Sequence, residues 1–92
     1  MRYGLWEKKM SDNEYTVKLN NVITSVTDEL ASANVNFGVF KSPHEGVAII
    51  QEEFEEFKAS VFWPNKSDSD MASECTQLAA MAIRFLMDIC YE

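Results

Sequence analysis

Apolar residues recur at three- and four-residue steps in three stretches of the chain, and each stretch predicts an amphipathic helix. In the first, from about Tyr15 to Ala33, the stripe is Val22, Ile23, Val26, Leu30 and Ala33. Its threonines and asparagines are weak helix formers, so the pattern defines the middle of this helix better than its ends. Residues 1–13 predict a flexible arm ending in Ser11-Asp12-Asn13, and residues 14–92 a single helical domain. Gly38 and Val39–Lys41 form a connector.

The second stretch has the clearest start signal. Ser42-Pro43-His44-Glu45 matches a capping box, with the Ser42 hydroxyl accepting from the backbone and Glu45 reaching back. Pro43 stands at the first helical position, where a missing N–H costs nothing. Val47, Ile50, Phe54, Phe57 and Val61 make the stripe, and Pro64 ends the helix after Trp63. The linker Asn65-Lys66-Ser67-Asp68 is polar, with Ser67 or Asp68 as the next cap. The third helix is expected from about Asp70 to Tyr91, with Met71, Leu78, Ala82, Phe85 and Ile89 on one face. No strand pattern or internal repeat is visible. The fold class is all-α: a helical hairpin plus an N-terminal helix, with short connectors making successive helices antiparallel.

Composition narrows the function classes. At 92 residues the chain holds one small domain. Its hydrophobic fraction of 47% is more than three short helices can hide, so self-association is expected. A net charge of −7 excludes a basic stripe of the kind that grips a nucleic-acid backbone. It does not exclude a nucleotide, because metal ions bridge acids and phosphates. Cys75 and Cys90 form no metal-binding spacing and read as small buried hydrophobes in a reducing compartment. The first ten residues have no signal-peptide core and no span is long enough for a membrane, so a cytosolic setting is expected.

The acids change the picture most. Glu52, Glu53, Glu55 and Glu56 interrupt the second helix, and Glu74 stands at the head of the apolar run Leu78–Ile83. At 100° per residue, Glu53 projects about 60° from the centre of its stripe and Glu56 lies on the same side, whereas Glu52 and Glu55 point toward the polar face. Glu74 falls about 40° from Leu78, inside the third helix's stripe, with Gln77, Arg84 and Asp88 along its edge. In an antiparallel hairpin Glu53/Glu56 and Glu74/Gln77 sit at comparable depth. Three converging carboxylates repel, and oxygen-only ligation selects a hard ion, magnesium or manganese before zinc. The plainer alternative is that Glu74 pairs with Arg84 or Lys18.

Glu53-x-x-Glu56 followed by Glu74-x-x-Gln77 resembles the MazG-like all-α nucleoside triphosphate pyrophosphohydrolases, which carry E-x-x-E and E-x-x-D on adjacent helices, often with a preceding Glu such as Glu52. The likeness extends through Phe37-Gly38, the Ser42–Gly46 helix start and the Leu78–Phe85 run. It implies that Glu53, Glu56 and Glu74 ligate Mg²⁺ (or Mn²⁺), with Gln77 beside them. It also implies that a nucleoside triphosphate is cut between its α- and β-phosphates, with Glu52 supporting the site or acting as base for the attacking water. The expected assembly is a homodimer, or a dimer of dimers, with a four-helix-bundle core. Gln77 departs from the family's Asp and removes one negative charge, which leaves a noncatalytic interaction or nucleotide-binding protein as the alternative.

Other residues carry smaller expectations. Arg84 contacts phosphate or, more simply, pairs with Asp88 by i,i+4 spacing. Trp63 stacks on a base or packs. His44 is an exposed neighbour of the cap, and Met71, Met81 and Met87 are core filler.

Overall fold

A computed structural model describes residues 9–63, 65 and 67–91. Three α-helices, α1 (Asp12–Phe37), α2 (Pro43–Phe62) and α3 (Asp68–Phe85), are followed by a π-helical turn, Leu86–Cys90. There is no strand among the described residues. The architecture is an all-α, three-helix domain. α3 lies in the middle, packed most extensively against α2 and then against α1. Contacts between Gly46 and Phe85 at one end, and between Glu53 and Glu74 further along, show that α2 and α3 run antiparallel.

All three helices start on serine. Ser11 forms a complete capping box: its hydroxyl accepts from the Glu14 N–H and the Glu14 carboxylate accepts from the Ser11 N–H, both at 3.2 Å. The helix therefore begins inside the segment expected to be an arm, with Ser11 as cap and Asp12 and Asn13 in the first turn. The arm's residues 1–8 lie outside the described residues. α1 also runs past Ala33 to Phe37 and stops where Gly38 adopts φ 71°, a backbone state that only glycine takes without strain.

At α2 the Ser42 hydroxyl accepts from the Glu45 N–H at 3.1 Å, but the Glu45 carboxylate accepts from the Lys41 N–H at 2.7 Å instead of closing the box on Ser42. Trp63 closes α2 with its N–H on the Ala59 carbonyl; Pro64, the expected terminator, lies outside the described residues. Ser67 caps α3, and Asp70 performs the reciprocal half of the box. The expected α-helix to Tyr91 holds only to Phe85. Beyond it the Tyr91 N–H reaches back five residues to the Leu86 carbonyl at 2.9 Å.

The core comprises Val26, Ala33, Phe40, Ala80 and Met81, with Leu30, Ile49, Ile50, Ala79, Phe85 and Ile89 against it. This corrects the expected stripe of α2 and one position, Ala82, in that of α3. On α2 the inward face is Gly46, Ile49, Ile50, Glu53, Phe57 and Ser60, while Val47, Phe54 and Val61 lie exposed. On α3 Ala82 is exposed, and Ala80, Met81 and Arg84 occupy the centre. The α2 face is rotated by most of one residue step, because its inward seam carries Glu53 and Ser60 among smaller side chains, whereas on α3 Met71, Leu78, Phe85 and Ile89 stay partly buried as expected. Met87 is exposed and Met71 is half-buried outside the core, so of the three expected methionines only Met81 fills it. His44 is exposed, as expected. Cys75 and Cys90 are both exposed, not buried, because they fall on the outer surface of α3 and the turn after it.

α1 is half covered. Tyr15, Leu19, Val22 and Ile23 continue the stripe of Val26, Leu30 and Ala33, yet all four are exposed. From Asp12 to Ser25 no residue of the helix is buried. No described helix is long and apolar enough to cross a membrane.

Candidate metal centre and cavity

Glu53 and Glu56 stand one turn apart on α2, and Glu74 faces them from α3. Each places one carboxylate oxygen so that all three lie within 4.8 Å of one another. Glu53 and Glu74 are half-buried and Glu56 is exposed, so the group opens to solvent on one side. Glu53 Oε2 and Glu74 Oε1 are fully buried and have no hydrogen-bond partner. A buried carboxylate oxygen without a donor costs about 1–3 kcal/mol, which a cation would recover.

Electrostatics follow from this packing. Burial, first of all, pushes the Glu53 carboxyl above the usual carboxylate range, and the neighbouring charges of Glu56, Glu74, Glu52 and Glu29 push it further the same way. The plainer alternative for Glu74 fails on geometry. Its buried oxygen meets neither Arg84 nor Lys18, and Arg84 is committed elsewhere.

Next to the acids is a cavity of about 430 Å³ bounded by α1, the α1–α2 connector, α2 and α3. Glu53 belongs to both the acid group and the cavity wall, as the contact between them. Gln77 lines the cavity one turn beyond Glu74, so the residue standing where the resemblance implies an Asp faces this space. Glu52 also lines the cavity but stays outside the three-acid group. Glu55 points away and is occupied by Gln51 at 2.8 Å and Lys58 at 3.7 Å, on the solvent face, as helical geometry predicted.

Arg84 is only 7% exposed and borders the cavity, but its guanidinium is already partnered. It donates to the Gly38 carbonyl and to Met81 Sδ, lies 4.3 Å over the Phe40 ring, and approaches Asp88 at 4.0 Å. Asp88 in turn accepts from the Phe40 N–H at 3.0 Å. Arg84 and Asp88 together pin the connector to the end of α3. Of the two expectations for Arg84, the pairing with Asp88 is the one this geometry matches. Trp63 is 66% exposed at the end of α2 and does not border the cavity.

One residue was missed by sequence reasoning. Glu29 of α1 lines the cavity opposite Glu53, half-buried between Val26 and Ala33. The available signal was its place in the pattern: it falls one turn from both Val26 and Ala33, an acid on the covered half of an apolar stripe. α1 and α2 thus both bring acids to the cavity, while α3 brings Gln77, Met81 and Arg84.

Compared with models of known families, with curated proteins and with solved structures, the chain matches none.

Proposed function

We propose that this chain is a Mg²⁺-dependent nucleoside triphosphate pyrophosphohydrolase that converts an NTP or dNTP to its monophosphate and pyrophosphate, in a house-cleaning role. The observation that carries this reading is the convergence of Glu53, Glu56 and Glu74 within 4.8 Å, with two of their oxygens turned inward and left without donors. Three anionic oxygens with no imidazole or thiolate among them form a donor set for a hard divalent cation. Mg²⁺ held there, or Mn²⁺ in its place, would supply charge neutralisation for the phosphates and an acidified water for attack between the α- and β-phosphorus.

The chain's own groups divide the remaining work. Glu53, shared between the acid group and the cavity, links the phosphate end of a substrate to the rest of it. Gln77 offers its amide oxygen to the ion or its N–H to a phosphate oxygen. Glu52, at the cavity wall, accepts the proton of the attacking water. Arg84 is not assigned to phosphate, because its donors are already engaged, and Trp63 is not assigned to the base.

The reading includes self-association. The bare stripe of Tyr15, Leu19, Val22 and Ile23, together with Val47, Phe54 and Val61 of α2, supports a homodimer, or a dimer of dimers, in which paired helices complete a four-helix core. A monomer in sedimentation at micromolar concentration would overturn that part.

The chemical test is incubation with a dNTP panel and Mg²⁺ or Mn²⁺, reading pyrophosphate release. Turnover that Glu53→Gln abolishes is expected; the loss should exceed the roughly 10–100-fold typical of removing a group that merely supports a metal ligand. No pyrophosphate and no metal-dependent thermal shift would sink the proposal. Gln77 favours a second reading, a noncatalytic nucleotide-binding or interaction protein with one charge too few at its site. Under that reading the native chain is inactive and Gln77→Asp gains turnover.

A further inference from the structure

The cavity beside the acids has a composition of its own. Phe37 and Phe40 supply aromatic walls, with Met81 and Ile49 adding soft apolar surface. Its volume of about 430 Å³ falls in the range of small-ligand cavities, about 300–1,000 Å³. Phe40 is buried and held by Arg84 and Asp88, so one aromatic wall is rigid. Phe37 is exposed at the end of α1, where its ring can cover a planar ligand.

The polar groups around this apolar space are one-sided. Glu45 is committed to the Lys41 N–H, Glu53 belongs to the acid group, Glu52 is exposed and assigned to the attacking water, and Arg84 is held against Gly38, Met81 and Phe40. Glu29 has no hydrogen-bond or ion-pair partner among the described residues. An ionised carboxylate accepts hydrogen bonds and donates none. Gln77 can do either and therefore does not discriminate.

We infer that the cavity takes the base of a nucleotide and selects bases whose exocyclic amine stands at the 4-position of a pyrimidine or the 6-position of a purine, cytosine and adenine, with Glu29 as the specificity-determining residue. The inference rests on the reading of the site as one for nucleotides and deepens it. An amino group facing Glu29 donates a charge-assisted hydrogen bond, whereas the carbonyl of uracil, thymine or hypoxanthine sets acceptor against acceptor in a partly dry site. The phosphates have no place among these carboxylates and must lie toward Glu53, Glu56 and Glu74, where a cation can screen them.

Two matched pairs isolate the amine: cytidine against uridine, and adenosine against inosine. Titrating these nucleosides into the full chain without metal, followed by NMR, should show the amine-bearing member of each pair binding about tenfold or more tightly. Glu29→Gln, whose amide serves both edges, should bring each ratio close to one while leaving the Mg²⁺-dependent thermal shift in place. Equal affinities within the pairs, no binding of any nucleoside, or ratios unchanged by Glu29→Gln would overturn the inference. The same preference should appear in pyrophosphate release from dCTP over dUTP and from dATP over dITP. Uniform turnover of all four overturns the base selection and leaves the hydrolase standing. Selective nucleoside binding with no turnover of any triphosphate does the reverse.

Discussion

The inward face of α3 and the turn after it carry two polar clusters about three turns apart, and they are built on opposite terms. Toward the C-terminal end, Arg84 and Asp88 satisfy each other, the Gly38 carbonyl and the Phe40 N–H, and the guanidinium rests on an aromatic face. Toward the N-terminal end, Glu74 meets two more acids, and its buried oxygen and that of Glu53 go without donors. The first cluster is self-sufficient and holds the connector in place. The second leaves two buried oxygens unsatisfied, a cost that the proposed cation would relieve. Burial by itself does not separate structural polar groups from functional ones; the balance of donors and acceptors does.

The comparison is most severely tested at its satisfied end. Arg84→Ala strips Asp88 and the Gly38 carbonyl of their partner and leaves Phe40 uncovered, so urea denaturation should show a loss of about 3–5 kcal/mol. The Mg²⁺-dependent thermal shift should survive in whatever fraction remains folded. At the other end Glu74→Leu should have the opposite sign, raising metal-free stability by about 1–3 kcal/mol because an unpartnered buried oxygen disappears. The same variant should lose the metal-dependent shift. If both variants destabilise alike, the two clusters are the same kind of structure and the distinction drawn here collapses.

A gentler probe is pH. The Glu53 carboxyl titrates higher in the folded protein than in the unfolded chain, where it ionises near the ordinary value of about 4.3. Between those two values the folded state holds more protons, so metal-free stability should fall as pH rises through that window and level off above it. Glu53→Gln should flatten the fall, and so should saturating Mg²⁺, which favours the ionised form. Urea midpoints measured across the window, with and without Mg²⁺, check the sign.

Local chemistry was the most legible part of the sequence. Ser42 with Pro43, and Ser67 ahead of α3, declare their helix starts in a few residues, because capping depends on side chains three positions apart. The convergence of Glu53, Glu56 and Glu74 was also readable, since helical angle and an antiparallel turn suffice to bring them together. Three things were not. Ser11 and Glu14 form a full capping box, but the polar run after them hid it. The inward face of α2 could not be found from hydrophobicity, because Val47, Phe54 and Val61 make a better apolar stripe than the seam of Gly46, Glu53 and Ser60 that packs. Glu29 needed the third dimension, for only the packing of α1 on α3 brings it across from Glu53. On α2 an apolar count ranked the faces, while the fold turned inward the face that carries the polar groups.

Gly46 ties the packing of the two helices to the spacing of the acids. A Cβ built there would meet the Phe85 ring at 2.5 and 2.9 Å and Phe40 at 3.3 Å, so the Phe85 ring of α3 rests directly on the bare α2 backbone at this point. Glu53 lies seven residues farther along α2, about 10 Å away. The contact therefore acts as a fulcrum. Bulk added at Gly46 has to push the Phe85 ring aside or tilt one helix on the other, and a tilt would grow along the lever arm to the carboxylates. The spacing of Glu53, Glu56 and Glu74 is thus tied to the absence of a side chain two turns away.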